Sequence, residues 1–173
     1  SAEIALDLKD KKKKVYFSWI GDDLPWSDWI ISKNKQILGA SIKKKINLIE
    51  DILIKKKVVM LKPNDISTEN LKKISDWSNK FRGNLNNLKK YSYKGQKIGL
   101  GVSSSLISFF HESNLNIKKH QRTVKNSLAS SAIIYERSLD LIRKIKPNYI
   151  VTFNNRFATS LPIIFAAKKK NIK

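Results

Sequence analysis

The stretch Asn148-Tyr149-Ile150-Val151-Thr152-Phe153-Asn154-Asn155-Arg156-Phe157 follows Pro147 and closes on three polar side chains. Tyr149 to Phe153 are all β-branched or aromatic, a composition that suits a pleated strand buried on both faces better than a helix. Pro147 ends whatever helix precedes it. Beyond the polar exit, Leu161, Ile164, Phe165 and Ala167 return at helical spacing, with Pro162 tolerated in the first turn. The order helix, strand, loop, helix predicts an α/β fold, a parallel sheet flanked by helices. In such a sheet, ligands bind in the crevice beyond the carboxyl ends of the strands. Asn154, Asn155 and Arg156 fall there and are the leading candidates for substrate binding. A structural reading stands beside this one, in which the Asn only caps the next helix and the Arg is solvated.

Upstream, Val124, Leu128, Ala132, Tyr135, Leu139, Ile142 and Ile145 form a long helical stripe that feeds this strand. Before it, Ile98-Gly99-Leu100-Gly101-Val102-Ser103-Ser104-Ser105-Leu106 is rich in glycine and hydroxyls. A dinucleotide fingerprint would need a third glycine where Ser104 stands, and a clear strand before Gly99. The local reading has close backbone approach at Gly99 and Gly101, and Ser103 or Ser104 capping a helix through Leu106, Phe109 and Phe110. Gly99, Ser104 and Ser105 are second-rank candidates for holding an anion or a sugar hydroxyl at that helix start. His111 and His120 belong to no nucleophile or metal constellation.

Nearer the N-terminus, Ser67 caps an expected helix whose buried face is Leu71, Ile74, Trp77, Phe81, Leu85 and Leu88. Leu38, Ile42, Ile46, Ile49 and Leu53 mark another helix over 32–54, and Val58 to Leu61 a short strand. Ile4, Ala5 and Leu8 share one helical face, and Val15 to Ile20 reads as a strand. The loop that follows carries Asp22, Asp23, Trp26 and Trp29 at a strand's carboxyl end. The tryptophans either pack under the loop or offer a sugar-stacking platform, and the aspartates are either turn formers or candidate catalytic bases. The chain reads as beginning inside a helix and stopping before a further strand, so it reads as one domain over 1–173, truncated at both ends.

The chain has 173 residues, 41% hydrophobic, enough for a sound core. It has no cysteine, which excludes disulfides and thiolate zinc sites, and two separated histidines make a poor metal cluster. The formal charge of +21 invites nucleic acid or an anionic membrane as partner. Arginine, however, occurs only at 82, 122, 137, 143 and 156, whereas bidentate phosphate or guanine contacts favour arginine over lysine. Abundant Lys, Asn and Ile together also follow from an AT-biased coding sequence. No apolar run approaches the ~20 residues of a membrane span, and no signal peptide is apparent.

Lys146-Pro147, the apolar run to Phe153, and Asn154-Asn155-Arg156-Phe157-Ala158 resemble the lysine-proline, apolar strand, Asn-Gly-Arg signature of bacterial capsule and surface-polysaccharide glycosyltransferases. Tyr93-Lys94-Gly95-Gln96-Lys97-Ile98-Gly99 with Val102 to Leu106 is similar to that family's aromatic-x-Gly, Ile-Gly and Ser-Ser segment. Ala5 to Pro25 is similar to its N-terminal start. Asn155 replaces the middle glycine, and an Asn can take the left-handed conformation that a Gly would occupy. Some members carry cysteines after the first strand, and this chain has none.

The resemblance implies the N-terminal, acceptor-side half of a two-domain GT-B-like glycosyltransferase, built on a Rossmann-like parallel sheet flanked by helices. A nucleotide-sugar donor would sit on a C-terminal domain, with no metal or other cofactor. Asn154 would bond sugar hydroxyls or hold the loop, Arg156 would pair with a phosphate or acidic sugar, and Asp22 or Asp23 would be the base. The acceptor would be a saccharide or lipid-linked glycan, and the setting cytoplasmic, peripheral to the inner face of the membrane. The rival from another class is a basic, non-catalytic α/β nucleic-acid-binding module. A third reading is a nucleotide-binding enzyme using Gly99 to Ser104.

Overall fold

A computed structural model of the chain describes residues 2–19, 24–27 and 35–172. The protein is mixed α/β and mostly helical, with a single two-stranded sheet among the described residues, and it divides into two units.

The first unit takes residues 1–19 and 30–63. Helix α1 (Ala2–Asp10) leads into strand β1 (Tyr16–Ser18), and helix α2 (Lys35–Lys55) leads into strand β2 (Val59–Leu61). The strands pair in parallel, Tyr16 opposite Val59 and Ser18 opposite Leu61. Both helices stop the same way. Lys12 and Lys57 take φ of 57° and 58°. The Lys13 and Val58 N–H groups reach back to the carbonyls of Leu8 and Leu53 at 3.1 and 2.9 Å, and the Lys12 and Lys57 N–H groups bond Lys9 and Ile54. These are Schellman stops with lysine where glycine is usual. Each turns the chain so that Val15 and Val58 join Ala5 and Leu53 in a small core.

The second unit takes residues 20–29 and 64–173, and its described secondary structure is helical. Helix α3 (Thr68–Lys80) is capped by Ser67, whose side chain accepts from the Asn70 N–H, as the sequence predicts. The expected single helix through Leu88 is instead two. Gly83, at φ 133°, breaks it, and Asn84 starts helix α4 (Leu85–Lys90) through a reciprocal capping box with Asn87. Trp77 lies against Tyr91, ring centroids 4.9 Å apart, and donates its indole N–H to the Ser92 carbonyl, so it belongs to the core's edge. Tyr93 and Gln96 then exchange backbone bonds across Lys94 and Gly95, both at positive φ, the signature of a type I′ turn.

Helix α5 (Ile98–Phe110) begins at once, so Ser103 and Ser104 lie inside it rather than capping it. Helix α6 (Gln121–Ile145) packs against α3, α5 and helix α7 (Leu161–Lys169), with Val124, Leu128, Ala132 and Tyr135 in the core.

The predicted strand at Tyr149 to Phe153 is not formed. No backbone–backbone hydrogen bond joins residues 148–156 to another described residue. Tyr149, Val151 and Phe153 are 70, 57 and 71% exposed, while Ile150 packs on the core. The exposure alternates with the period of a strand, but strand propensity is realised only against a ladder partner. Among the described residues the parallel sheet is therefore limited to β1 and β2, without the further strands of a Rossmann-like sheet.

Lysine at a left-handed position costs more than glycine would. Lys57→Gly should stabilise the protein by about 0.5–1 kcal/mol, partly offset by the entropy of the unfolded glycine, read as a higher urea midpoint.

Candidate functional site

The loop between α6 and α7 is built around one residue, Ala158. The buried Ala158 donates its N–H to Ser105 Oγ of α5, and its carbonyl accepts from Ser131 Oγ of α6, each at 2.8 Å. Phe157 adds a local tie by donating its N–H to Ser160 Oγ at 3.3 Å, and its carbonyl accepts from the Leu161 N–H at 2.9 Å. Helix α5 comes close here because residue 101 is glycine. A Cβ on Gly101 would stand 3.0 Å from the Phe157 carbonyl oxygen and 3.2 Å from Leu161 Cβ.

From this anchor the candidate residues project into solvent. Asn154 takes φ 55°, and its Oδ1 accepts from the Arg156 N–H at 3.2 Å, an Asx-type turn. The left-handed residue is thus Asn154, one position before the family's glycine. Asn155 is exposed. The Arg156 guanidinium lies over the Phe157 ring, 4.8 Å from its centroid, so one face is held while the edges stay open.

The second-rank candidates separate. Ser105 is brought to the loop, as an anchor beneath it. Ser104 sends its hydroxyl to the Leu100 carbonyl at 3.1 Å, and Ser103 donates to the same oxygen at 2.7 Å. Gly99 is a packing residue. A side chain there would collide with the Leu88 carbonyl, and its N–H bonds the Tyr91 carbonyl at 2.9 Å. The dinucleotide reading of Gly99 to Ser104 fails on position, because these residues are inside a helix preceded by a turn rather than a strand. Asp22, Asp23 and Trp29 lie outside the described residues. Trp26 is buried edge-on to Phe109, ring centroids 6.1 Å apart, and its N–H bonds Ser130 Oγ at 2.8 Å, which is the packing role.

Ser131 and Ser130 were not singled out in the sequence. Their signal was there: Ser130 and Ser131 fall on the buried side of a helix, and a buried hydroxyl needs a partner.

Two other places carry polar groups. A cleft of about 250 Å³ lies between α3 and α6, with Ile74 and Ile133 in its wall and Asn79, Lys125 and Asn126 among its polar lining; it shares no residue with the loop. In the α5–α6 connection, Glu112 accepts from Lys119 Nζ at 2.9 Å and lies 3.2 Å from His120 Nε2, while His120 stacks on Phe110. Bonding to Lys119, then to His120, pulls the Glu112 carboxyl down to about 2. No group of metal-binding side chains occurs among the described residues, and no helix there is long and apolar enough to cross a membrane.

Comparison with protein-family models, curated proteins and solved structures returned no match.

Removing Ser105 leaves the buried Ala158 N–H without its acceptor, so Ser105→Ala should cost about 1–3 kcal/mol in a thermal melt. Ser131→Ala should add less than its own cost in the double variant, since both hydroxyls hold the backbone of one residue. The depressed Glu112 carboxyl stabilises the connection above the ordinary carboxylate range, and that contribution is lost as pH falls through about 2. The Asn116 amide, 3.4 Å from Glu112 Oε2, should titrate in NMR with a midpoint near that value, and Glu112→Gln should abolish the titration.

Proposed function

We propose that this chain is the acceptor-side domain of a glycosyltransferase that moves a sugar from a nucleotide-sugar onto a surface polysaccharide or lipid-linked glycan. The observation that carries the reading is the exposed Asn154-Asn155-Arg156 tip, seated on a residue, Ala158, whose backbone is fixed from two helices by Ser105 and Ser131. A binding group must be held closely to be selective, and a doubly anchored loop supplies that without burying the tip. The motif resemblance at the same residues supports it.

In this reading Arg156 is the contact residue. Its planar guanidinium suits a phosphate or an acidic sugar through paired N–H bonds. Asn154 keeps the loop shape through its bond to the Arg156 N–H, and Asn155 is free to meet hydroxyls. Donor binding falls to a second, C-terminal domain, and Asp22 or Asp23 is the candidate base.

The net charge of +21 favours one competing reading, a nucleic-acid-binding module. The two separate by titrating the chain with a panel of phosphorylated and acidic bacterial oligosaccharides, and with single- and double-stranded oligonucleotides, across a salt series. The transferase reading expects a saccharide whose affinity falls at least tenfold in Arg156→Ala, with Arg156→Lys between. A failure of every saccharide, with oligonucleotide affinity falling steeply with salt, would establish the module instead.

A further inference from the structure

The outer face of α2 carries an apolar pair that the core does not use. Leu53 on the opposite side is fully buried, and Ile46 and Ile49 are half-buried, so the packing face is already filled. Leu48 and Ile52, four residues apart and therefore stacked on one face, are 61 and 43% exposed.

Lysines bracket this pair at helical spacing. Lys44 and Lys45 stand four and three residues before Leu48, and Lys55 and Lys56 three and four after Ile52. All four are exposed. The Lys56 N–H bonds the Ile52 carbonyl at 3.1 Å, so helical geometry still places its side chain. Asp51 is the one acid on this face, giving four lysines against one aspartate.

We infer that this face of α2 docks on the surface of an anionic lipid bilayer. Leu48 and Ile52 would enter the boundary between headgroups and acyl chains, and the four lysines would reach back to lipid phosphates along their flexible stems. The charge excess matches an anionic leaflet. The apolar pair decides between polyanions, because exposed Leu and Ile gain from an apolar phase but not from a phosphate backbone, where aromatic platforms would be expected. The helix would lie along the surface rather than span it, consistent with its lysine content. This inference is independent of what the Arg156 loop binds.

The whole chain is tested by co-sedimentation with vesicles of phosphatidylcholine alone or with 30% phosphatidylglycerol. Binding to the anionic vesicles alone is expected, about fivefold weaker for each of the four lysines changed to Gln, and lost in Leu48→Glu/Ile52→Glu with unchanged far-UV circular dichroism. Because the chain has no cysteine, Leu48→Cys accepts a single environment-sensitive fluorophore. That probe should shift to the blue on anionic vesicles, while the same probe at the exposed Asn86 should not. The probe reading holds even if the double variant misfolds. Absence of vesicle binding, equal binding by a folded double variant, or an unshifted probe at position 48 each overturns the inference. An oligonucleotide that displaces the vesicles and shifts the position-48 probe equally would assign the face to nucleic acid.

Discussion

The backbone of Ala158 is the point on which the second unit turns. A buried backbone N–H and C=O must each find a partner, because an orphaned group costs about 1–3 kcal/mol. Neither belongs to a helix ladder here, so Ser105 and Ser131 supply the partners from two different helices. That requirement fixes the register of α5, α6 and the start of α7 against one another, and Gly101 permits the approach. The tip bearing Arg156 is only two residues away, so the order that the core imposes on Ala158 extends to the surface.

The charge of the protein has a partly local explanation. Lys12 and Lys57 end α1 and α2 in left-handed turns, Lys146 ends α6 in the same conformation, and Asn171 follows α7 in it. Lysines in a last turn or just beyond it lie by unsatisfied carbonyls and the negative end of the helix dipole. Much of the Lys-rich sequence between elements is thus turn and terminus. The basic face of α2 differs, because its lysines surround exposed apolar side chains rather than a helix end alone.

The sequence anticipated α1, α2, α6 and α7, both strands of the sheet, and the Ser67 cap, because these depend on periodicity and on local hydrogen bonds. It missed the break at Gly83, where a continuous apolar stripe masked an Asn84 cap. At Ile98 to Ser105 the close backbone approach expected at Gly99 and Gly101 is found, but the helix already starts at Ile98, so Ser103 and Ser104 bond their own helix instead of capping it. For the candidate site, the exposed tip was legible as a polar run after an apolar one. The anchoring role of Ser105, and Ser131 altogether, were not, since the three segments involved are separated by 26 and 27 residues of chain.

The sequence by itself determined helices α1, α2, α6 and α7, the chain's lack of thiol chemistry, its strong positive charge and the polar character of the Asn154 to Arg156 tip. These follow from side-chain chemistry and contacts within a few residues. Only the tertiary structure decided where α3 gives way to α4, that Tyr149 to Phe153 stands without a ladder and that the backbone of one alanine carries the loop. Strand pairing and the satisfaction of a buried peptide both depend on groups far along the chain, and their positions are set by packing rather than by local preference.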